Sequence, residues 1–171
     1  MLNKEEHRKD ELLKKAYQLG FELEKTYGNC AQCVLLAVQE TLGLRNDLVF
    51  KAATGFAGGM GLMGLSACGA LSGGILAIGQ KFGRERHNLT DPERFRFKTY
   101  KLTKKLHERF IAEYGSSTCH DIQQRIFGRS YNLWDPEEYK QFEEAGAHRD
   151  KCPEVVGEAA KWVVELLFEE E

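Results

Sequence analysis

The stretch from residue 55 to residue 74, GFAGGMGLMGLSACGALSGG, decides the fold of this chain. Its first half is too rich in glycine for a regular helix, because each glycine costs about 1 kcal/mol of helix propensity relative to alanine. Its second half continues as a run of small and apolar residues through Leu71, Ile75 and Ile78 to Gly83. The stretch therefore predicts a Gly-rich loop that leads, with Ser66 as its cap, into a narrow helix at the centre of a helical bundle.

The same region could be mistaken for a membrane span. No residue from Ala52 to Gln80 is charged, and that is longer than the roughly 20 apolar residues that a spanning helix needs. The glycines and the lack of a second such segment favour a protein core instead, so we expect no membrane partner. The first ten residues, MLNKEEHRKD, contain no apolar signal segment. We therefore expect the protein in the cytoplasm.

Apolar residues recur at helical spacing through the rest of the chain, and no alternating strand pattern occurs. The long helix after residue 90 is predicted to begin at a capping box formed by Thr90 and Glu93. The predicted helices cover residues 5–27, 30–42, about 46–53, 66–83, 91–114, 119–127, a short segment from 135, and the chain from 152. The predicted fold class is all-α, a compact bundle in which residues 1–171 form a single domain.

Composition excludes several classes of partner. The 24 basic and 26 acidic side chains nearly cancel, for a net charge of -2, so we expect no nucleic acid partner and no anionic membrane partner. A chain of 171 residues buries a sizeable core without disulfides. In a reducing cytoplasm, its five cysteines are more often apolar fillers, metal ligands or redox thiols than permanent disulfides.

Four of the cysteines share a position relative to the predicted helices. Cys30, Cys68 and Cys119 fall in or beside the first turn of a helix, and Cys152 occupies an N-cap position before Pro153. Helix N-termini present free N–H groups and a partial positive charge, which favour a thiolate over a thiol. We therefore predict that four helix N-termini converge on one site, with these cysteines as redox thiols or as cofactor and metal ligands.

Other candidate ligands lie close to these four in the sequence. Cys33 is three residues after Cys30, near enough on a helix for a disulfide or a shared metal, although a buried apolar filler explains it equally well. His120 follows Cys119 and His148 precedes Cys152 by four residues, so each is a candidate metal ligand or proton donor, with a surface position as the alternative. No Cys-x-x-Cys-His sequence occurs, so covalent haem is not expected.

Three segments together resemble the redox-active protein family that is named for its C–GCAxxG–C–C motif. They are residues 29–32 (NCAQ), 54–61 (TGFAGGMG) and 68–74 (CGALSGG), and Cys119 and Cys152 follow in the order of the motif. Ala67 stands where the family name has a glycine, and Cys33 lies outside the four-cysteine pattern. The resemblance implies redox activity but names no substrate.

Three hypotheses for the function remain open from the sequence. In the first, Cys30, Cys68, Cys119 and Cys152 form a redox site, either as ligands of an iron–sulfur or other metal cluster or as dithiol/disulfide pairs, in an oxidoreductase or electron carrier with a partner protein. In the second, they hold zinc in a non-enzymatic structural or sensing module. In the third, they are inert core residues. A homodimer through the Gly-rich region is also compatible with the sequence.

Overall fold

A computed structural model describes residues 4–170 of the chain, and within that range it contains eight α-helices and no named strand. The predicted all-α fold class is confirmed, with 74% of residues helical. The helices are α1 (Lys4–Tyr27), α2 (Cys30–Leu42), α3 (Asp47–Ala52), α4 (Gly69–Phe82), α5 (Phe95–Tyr114), α6 (Cys119–Phe127), α7 (Pro136–Glu144) and α8 (Cys152–Phe168). Short 3-10 helices span Ala53–Phe56 and Arg86–Asn88, and a π-helical turn spans Ala147–Lys151.

Helix α4 lies at the centre of the bundle, as its small residues predict. It packs against α2, α5 and α8, while α1 packs along α8 and against α2. The approach of α2 is close because Gly73 presents no side chain, so its backbone lies against the carbonyl oxygen of Ala31. Gly74 makes room in the same way for Leu106 of α5 and Val163 of α8. The small residues of α4 therefore set the distance at which three other helices pack.

The Gly-rich loop before α4 is a compact series of turns. Its backbone takes positive φ at Gly58, Gly59, Met60, Gly61, Leu62 and Gly64. Hydrogen bonds from the N–H of Gly61 to the carbonyl of Gly55 (2.8 Å) and from the N–H of Gly64 to the carbonyl of Gly58 (2.9 Å) close the turns. In the part of the chain that the structure describes, no helix is both long and apolar enough to cross a membrane.

The predicted start of α4 requires a correction. The helix begins at Gly69, so Cys68 and not Ser66 occupies its N-cap position. The carbonyl oxygen of Ser66 instead accepts a hydrogen bond from the N–H of Cys119 at 3.0 Å. Ser66 is therefore engaged in a backbone contact with α6 and does not cap α4.

The capping box predicted at Thr90 and Glu93 is wrong. Helix α5 begins at Phe95, and Asp91 and Arg94 before it have positive φ. The carboxylate of Asp91, only 1% exposed, accepts hydrogen bonds from the N–H groups of Phe95 (2.7 Å) and Arg96 (3.2 Å) and from the Arg96 guanidinium (2.9 Å). A turn over residues 91–94 thus replaces the first helical turn, and Asp91 satisfies the helix N–H groups from four residues upstream.

Two glycines of α4 allow a matched test of the central packing. An added Cβ at Gly73 would collide with the backbone of Ala31, whereas one at Gly79 would meet no atom within 4 Å. We expect Gly73→Ala to lower the free energy of unfolding by roughly 2 kcal/mol, because α2 and α4 must separate. Gly79→Ala should raise it by up to about 1 kcal/mol through helix propensity. Urea denaturation of both variants checks this, and equal effects would contradict it.

The start of α5 can be tested in the same way. Asp91→Ala removes the acceptor of three hydrogen bonds, and we expect it to lower Tm by roughly 4 °C or more. Glu93→Ala removes an exposed carboxylate, which the capping box would need and the structure does not use. Its Tm should stay within about 1 °C of the wild type. A larger decrease in Tm for Glu93→Ala than for Asp91→Ala would contradict this and support the capping box instead.

Candidate functional site

A cavity of about 510 Å³ lies among the ends of the helices. The four cysteines Cys30, Cys68, Cys119 and Cys152 all line it. They reach it from the first residue of α2, α6 and α8 and from the residue that precedes α4. The end of α1, the Gly-rich loop and α7 complete the walls. The structure therefore brings these four side chains to one cavity.

Local hydrogen bonds fix the start of α2 beside the loop. Asn29, with φ of 70°, is the N-cap of α2, and its side-chain oxygen accepts a hydrogen bond from the N–H of Gln32 at 3.2 Å. Its side-chain amide donates to the carbonyl of Thr54 at 3.1 Å. Gln32 donates to the carbonyl of Phe50 at 3.1 Å and to the Thr54 hydroxyl at 3.0 Å. The polar residues that flank Cys30 thus tie it to the segment that enters the Gly-rich loop.

Backbone pairing places Cys68 next to Cys119. An isolated antiparallel bridge joins Ala67 to Thr118. The N–H of Cys68 donates to the carbonyl of Ser117 at 2.8 Å, and the N–H of Cys119 donates to the carbonyl of Ser66 at 3.0 Å. Because these bonds run in both directions, the starts of α4 and α6 are held in register.

A glycine follows Cys68 because the sulfur of Cys30 occupies the space beside it. A Cβ added at Gly69 would collide with the Cys30 Sγ. Gly59 plays a similar part for Cys119, since a Cβ at Gly59 would lie 2.9 Å from the Cys119 Cβ. These glycines let the backbone approach the thiols more closely than any other residue would permit.

Cys30 is the thiol that most readily ionises. Donation of a hydrogen bond by the Cys68 thiol lowers the pKa of Cys30 to about 7. Burial of the half-buried side chain opposes this effect, while the backbone N–H groups of Gly58, Ala31 and Cys30 itself add to it. Cys30 is therefore largely a thiolate at slightly alkaline pH, which is the nucleophilic form.

The expected thiolate character is wrong for the other three cysteines. The hydrogen bond with Cys30 and burial raise the pKa of Cys68. Burial and the charge of Cys30 raise the pKa of Cys119 to about 11, against a hydrogen bond of 3.3 Å from the Gln123 amide. Burial and the charge of Glu24 raise the pKa of Cys152. The cost of burying a second charge beside a thiolate exceeds the effect of a helix terminus.

Cys152 also does not occupy a free helix N-terminus. The π-helical turn Ala147–Lys151 runs directly into α8, and the N–H of Cys152 already donates to the carbonyl of Ala147. The predicted N-cap at Cys152 is therefore wrong. Pro153 suits the first turn of a helix, but here it continues a helical segment and does not begin one.

The other three predicted ligands differ in whether they line the cavity. Cys33 is 4% exposed, lies outside the cavity wall and donates its thiol proton to the carbonyl of Gly28 at 3.0 Å; burial raises its pKa. His120 also lies outside the wall, with its Nδ1 2.9 Å from Asp121 Oδ1. His148 lines the cavity, and its Nδ1 is 2.5 Å from Glu143 Oε1. Of these three residues, only His148 joins the four cysteines.

The donor atoms do not fit a metal centre as they are arranged. Among residues 4–170, no group of three or more His, Cys, Asp or Glu side chains is placed so that it could hold a metal ion. A four-cysteine iron–sulfur cluster or a structural zinc site needs such a group. The geometry brings the thiols to one cavity without forming a ligand set.

Glu24 is a cavity residue that was not predicted from the sequence. This residue lines the cavity, is 2% exposed, and has its Oε1 3.7 Å from His148 Nε2. Burial, followed by the charge of Cys30, raises its pKa to about 8, although His148 acts in the opposite direction. A signal was available: Ala16, Gly20 and Glu24 follow each other at intervals of four residues, and all are buried on one face of α1. An acidic residue in that series departs from the apolar pattern.

The buried carboxyl predicts a pH-dependent stability. Its pKa is about 8 in the folded chain against an ordinary 4.5, so between these values the folded state holds a proton that the unfolded state has lost. The contribution that the protonated Glu24 makes to folding stability is thus complete below about pH 4.5 and is lost as pH rises through 8. We expect Glu24→Gln to gain stability over the wild type as pH rises from 5 to 8, reaching roughly 1 kcal/mol or more.

Urea denaturation at several pH values measures this difference. Glu22→Gln is the matched control, because it makes the same change at an exposed position on the same helix. A stability difference between Glu24→Gln and the wild type that does not vary with pH would contradict a raised pKa at Glu24.

Comparison with known proteins assigns the chain to a family. No curated protein and no solved structure matches the chain. The model of the family described as "Putative redox-active protein (C_GCAxxG_C_C)" matches residues 28–166. That range contains the four cavity cysteines and most of the helices that position them. The chain therefore belongs to the redox-active protein family named for the C_GCAxxG_C_C motif.

Proposed function

We propose that this protein is an oxidoreductase that exchanges thiols and disulfides, with Cys30 as the attacking thiolate and Cys68 as the resolving thiol. The observation that carries the proposal is the position of the Cys30 sulfur, which lies against Gly69 beside Cys68 in the cavity, where the Cys68 thiol lowers the pKa of Cys30 to about 7. A thiolate with a pKa near ambient pH combines ionisation with nucleophilicity. Membership of a redox-active family supports the same chemistry.

The exchange proceeds in two balanced steps. The Cys30 thiolate attacks one sulfur of a substrate disulfide R–S–S–R′, forming Cys30–S–S–R and releasing R′S⁻, which takes a proton from solvent. The Cys68 thiol then attacks the Cys30 sulfur, and its proton leaves with the second product as RSH. Cys30 and Cys68 are oxidised to one disulfide while the substrate is reduced to two thiols. A partner dithiol would return the pair to its reduced form.

The remaining cysteines have a different part in this proposal. Cys119 and Cys152 border the space in which the disulfide reacts. They stay protonated at neutral pH because their pKa values are raised. The cluster and zinc hypotheses receive no support from the geometry, since the described residues offer no metal-holding group. We also propose that residues 1–171 act as one domain, because segments from α1 to α8 share the cavity. The location that we propose for it is the cytoplasm.

The proposal can be tested by alkylation and by mass spectrometry. The rate at which iodoacetamide modifies Cys30 should follow an apparent pKa of about 7. In Cys68→Ala, which lacks the hydrogen-bond donor, the rate at pH 7 should fall roughly tenfold or more as the pKa rises. Cys33→Ser is the matched control, because it changes a cysteine that lies outside the cavity wall while keeping a donor for Gly28.

Oxidation by a small disulfide separates the two roles. Wild type and Cys33→Ser should form a Cys30–Cys68 disulfide, Cys68→Ala should stop at a mixed disulfide on Cys30, and Cys30→Ser should not react in the cavity. Oxidation of Cys30→Ser at the rate of the wild type would overturn the proposal. So would a disulfide between any other pair of cysteines as the first product.

A further inference from the structure

One carboxyl oxygen in the cavity lacks a partner. Glu24 is buried, and among the residues that the structure describes its Oε2 has no hydrogen-bond partner, because the neighbouring Cys33 thiol, which also acts on the Glu24 carboxyl, donates its one proton to the carbonyl of Gly28. Leaving a buried polar atom without a partner costs stability, and the cost is larger when the group is charged. Because Glu24 lines the same cavity as Cys30 and Cys68, a ligand in that cavity can supply the missing partner.

The charges around Glu24 favour a cation as that ligand. The groups that act on it from neighbouring elements are Cys30 and Cys33 of α2, Tyr139 and Glu143 of α7, and His148 and Cys152 beside and in α8. Of the side chains that can carry a positive charge, Lys25 and His148 line the cavity. Lys25 is exposed, and His148 is already bound to Glu143. Cys30 and Glu24 therefore share a cavity in which the half-buried basic side chain, His148, lies 3.7 Å from Glu24 and is shared with Glu143.

The cavity also limits the size of the substrate. Its volume of about 510 Å³ lies within the range of small-molecule sites, about 300–1,000 Å³. Cys68 is 6% exposed and Cys30 is half-buried. The substrate sulfur has to reach a half-buried thiol inside the cavity, and this favours a free small disulfide over one held on the surface of another protein.

We propose that the cavity binds a low-molecular-weight disulfide that carries an ammonium group, with the ammonium on Glu24 and the sulfur–sulfur bond at Cys30. This inference rests on the proposed thiol exchange and names its substrate class. A bound ammonium favours the ionised form of Glu24, so the carboxyl proton leaves to solvent and the carboxylate accepts a charge-assisted hydrogen bond that satisfies the unpartnered oxygen. It also offsets the repulsion between Glu24 and the Cys30 thiolate, which is one cause of the raised pKa of Glu24.

The covalent step is the first half of the exchange. The Cys30 thiolate attacks the near sulfur of the bound disulfide, the sulfur–sulfur bond breaks, and the departing aminothiolate takes a proton from solvent. Cys30 is oxidised to a mixed disulfide that retains one ammonium group, and the departing sulfur is reduced. The retained ammonium keeps its contact with Glu24 while Cys68 resolves the mixed disulfide.

The test compares two probe disulfides that differ in charge. Cystamine carries two ammonium groups, and 2-hydroxyethyl disulfide is its neutral counterpart. The rate constant for oxidation of Cys30 by each probe is measured at pH 7.5, and their ratio is divided by the same ratio for a free small thiol. We expect the wild type to favour cystamine by about tenfold after this correction, the order expected of one charge-assisted hydrogen bond.

Variants at Glu24 assign the preference to its carboxyl. Glu24→Gln keeps the shape of the side chain and should lose most of the preference while still reacting with the neutral probe. Glu22→Gln, an exposed site on the same helix, should behave as the wild type. If Glu24→Gln does not fold, Glu24→Asp serves as a second variant, and we expect a preference between those of the wild type and a free thiol.

Each outcome has a distinct meaning. An equal preference in Glu24→Gln and the wild type, or a wild type without preference, would overturn the ammonium site and leave the thiol exchange standing. A wild type in which Cys30 reacts with neither probe would instead overturn the thiol exchange itself. Faster reaction of the wild type with an anionic probe that has no ammonium group, 3,3′-dithiodipropionate, than with cystamine would also overturn the inference.

Discussion

The contact of α2 with the backbone of α4 is the constraint on which the rest of the structure depends. Gly69 and Gly73 present no side chain, so the Cys30 sulfur and the Ala31 carbonyl lie directly against α4. This approach places the Cys30 thiol within hydrogen-bond reach of Cys68, which immediately precedes α4. The packing that forms the core of the bundle and the pairing that activates a thiol are thus one interaction. A larger residue at either glycine would disturb both.

The cavity can hold one thiolate but not four. Helix termini favour ionised cysteines, yet each thiol is largely buried and each lies near the others. Once Cys30 ionises, its charge raises the pKa of Cys68, Cys119 and Cys152. The hydrogen bond between Cys30 and Cys68 has the same effect, since it stabilises the proton on one partner and the charge on the other. Burial, the hydrogen bond and mutual repulsion together divide similar residues into a nucleophile and protonated neighbours.

Local features of the structure were predictable from the sequence where one residue determines them. Asn29, Asn46 and Asp135 each cap a helix, because a side-chain oxygen accepts a hydrogen bond from the N–H two or three residues later. This spacing can be recognised from the sequence alone. The capping role of Asp91 could not be predicted in this way, because its carboxylate reaches α5 across a turn with positive φ at non-glycine residues. The N-cap predicted at Cys152 was wrong for a similar reason, since the π-helical turn before it leaves no sign in the spacing of apolar residues. The convergence of four cysteines followed from their shared position at helix starts, but their pKa values depend on burial and on distances that only the fold sets.

Glu24 and Asp91 show why burial alone does not identify a functional acid. Both are almost fully buried, at 2% and 1% exposed. Asp91 accepts three hydrogen bonds, and although burial acts in the opposite direction they hold its pKa below the usual range. Glu24 has an oxygen without a described partner and a pKa raised to about 8, so it costs stability at neutral pH. A buried acid that stabilises its helix, as Asp91 does, needs no functional reason for its burial. An acid that destabilises the fold needs another reason for its position, and the wall that it shares with Cys30 supplies one.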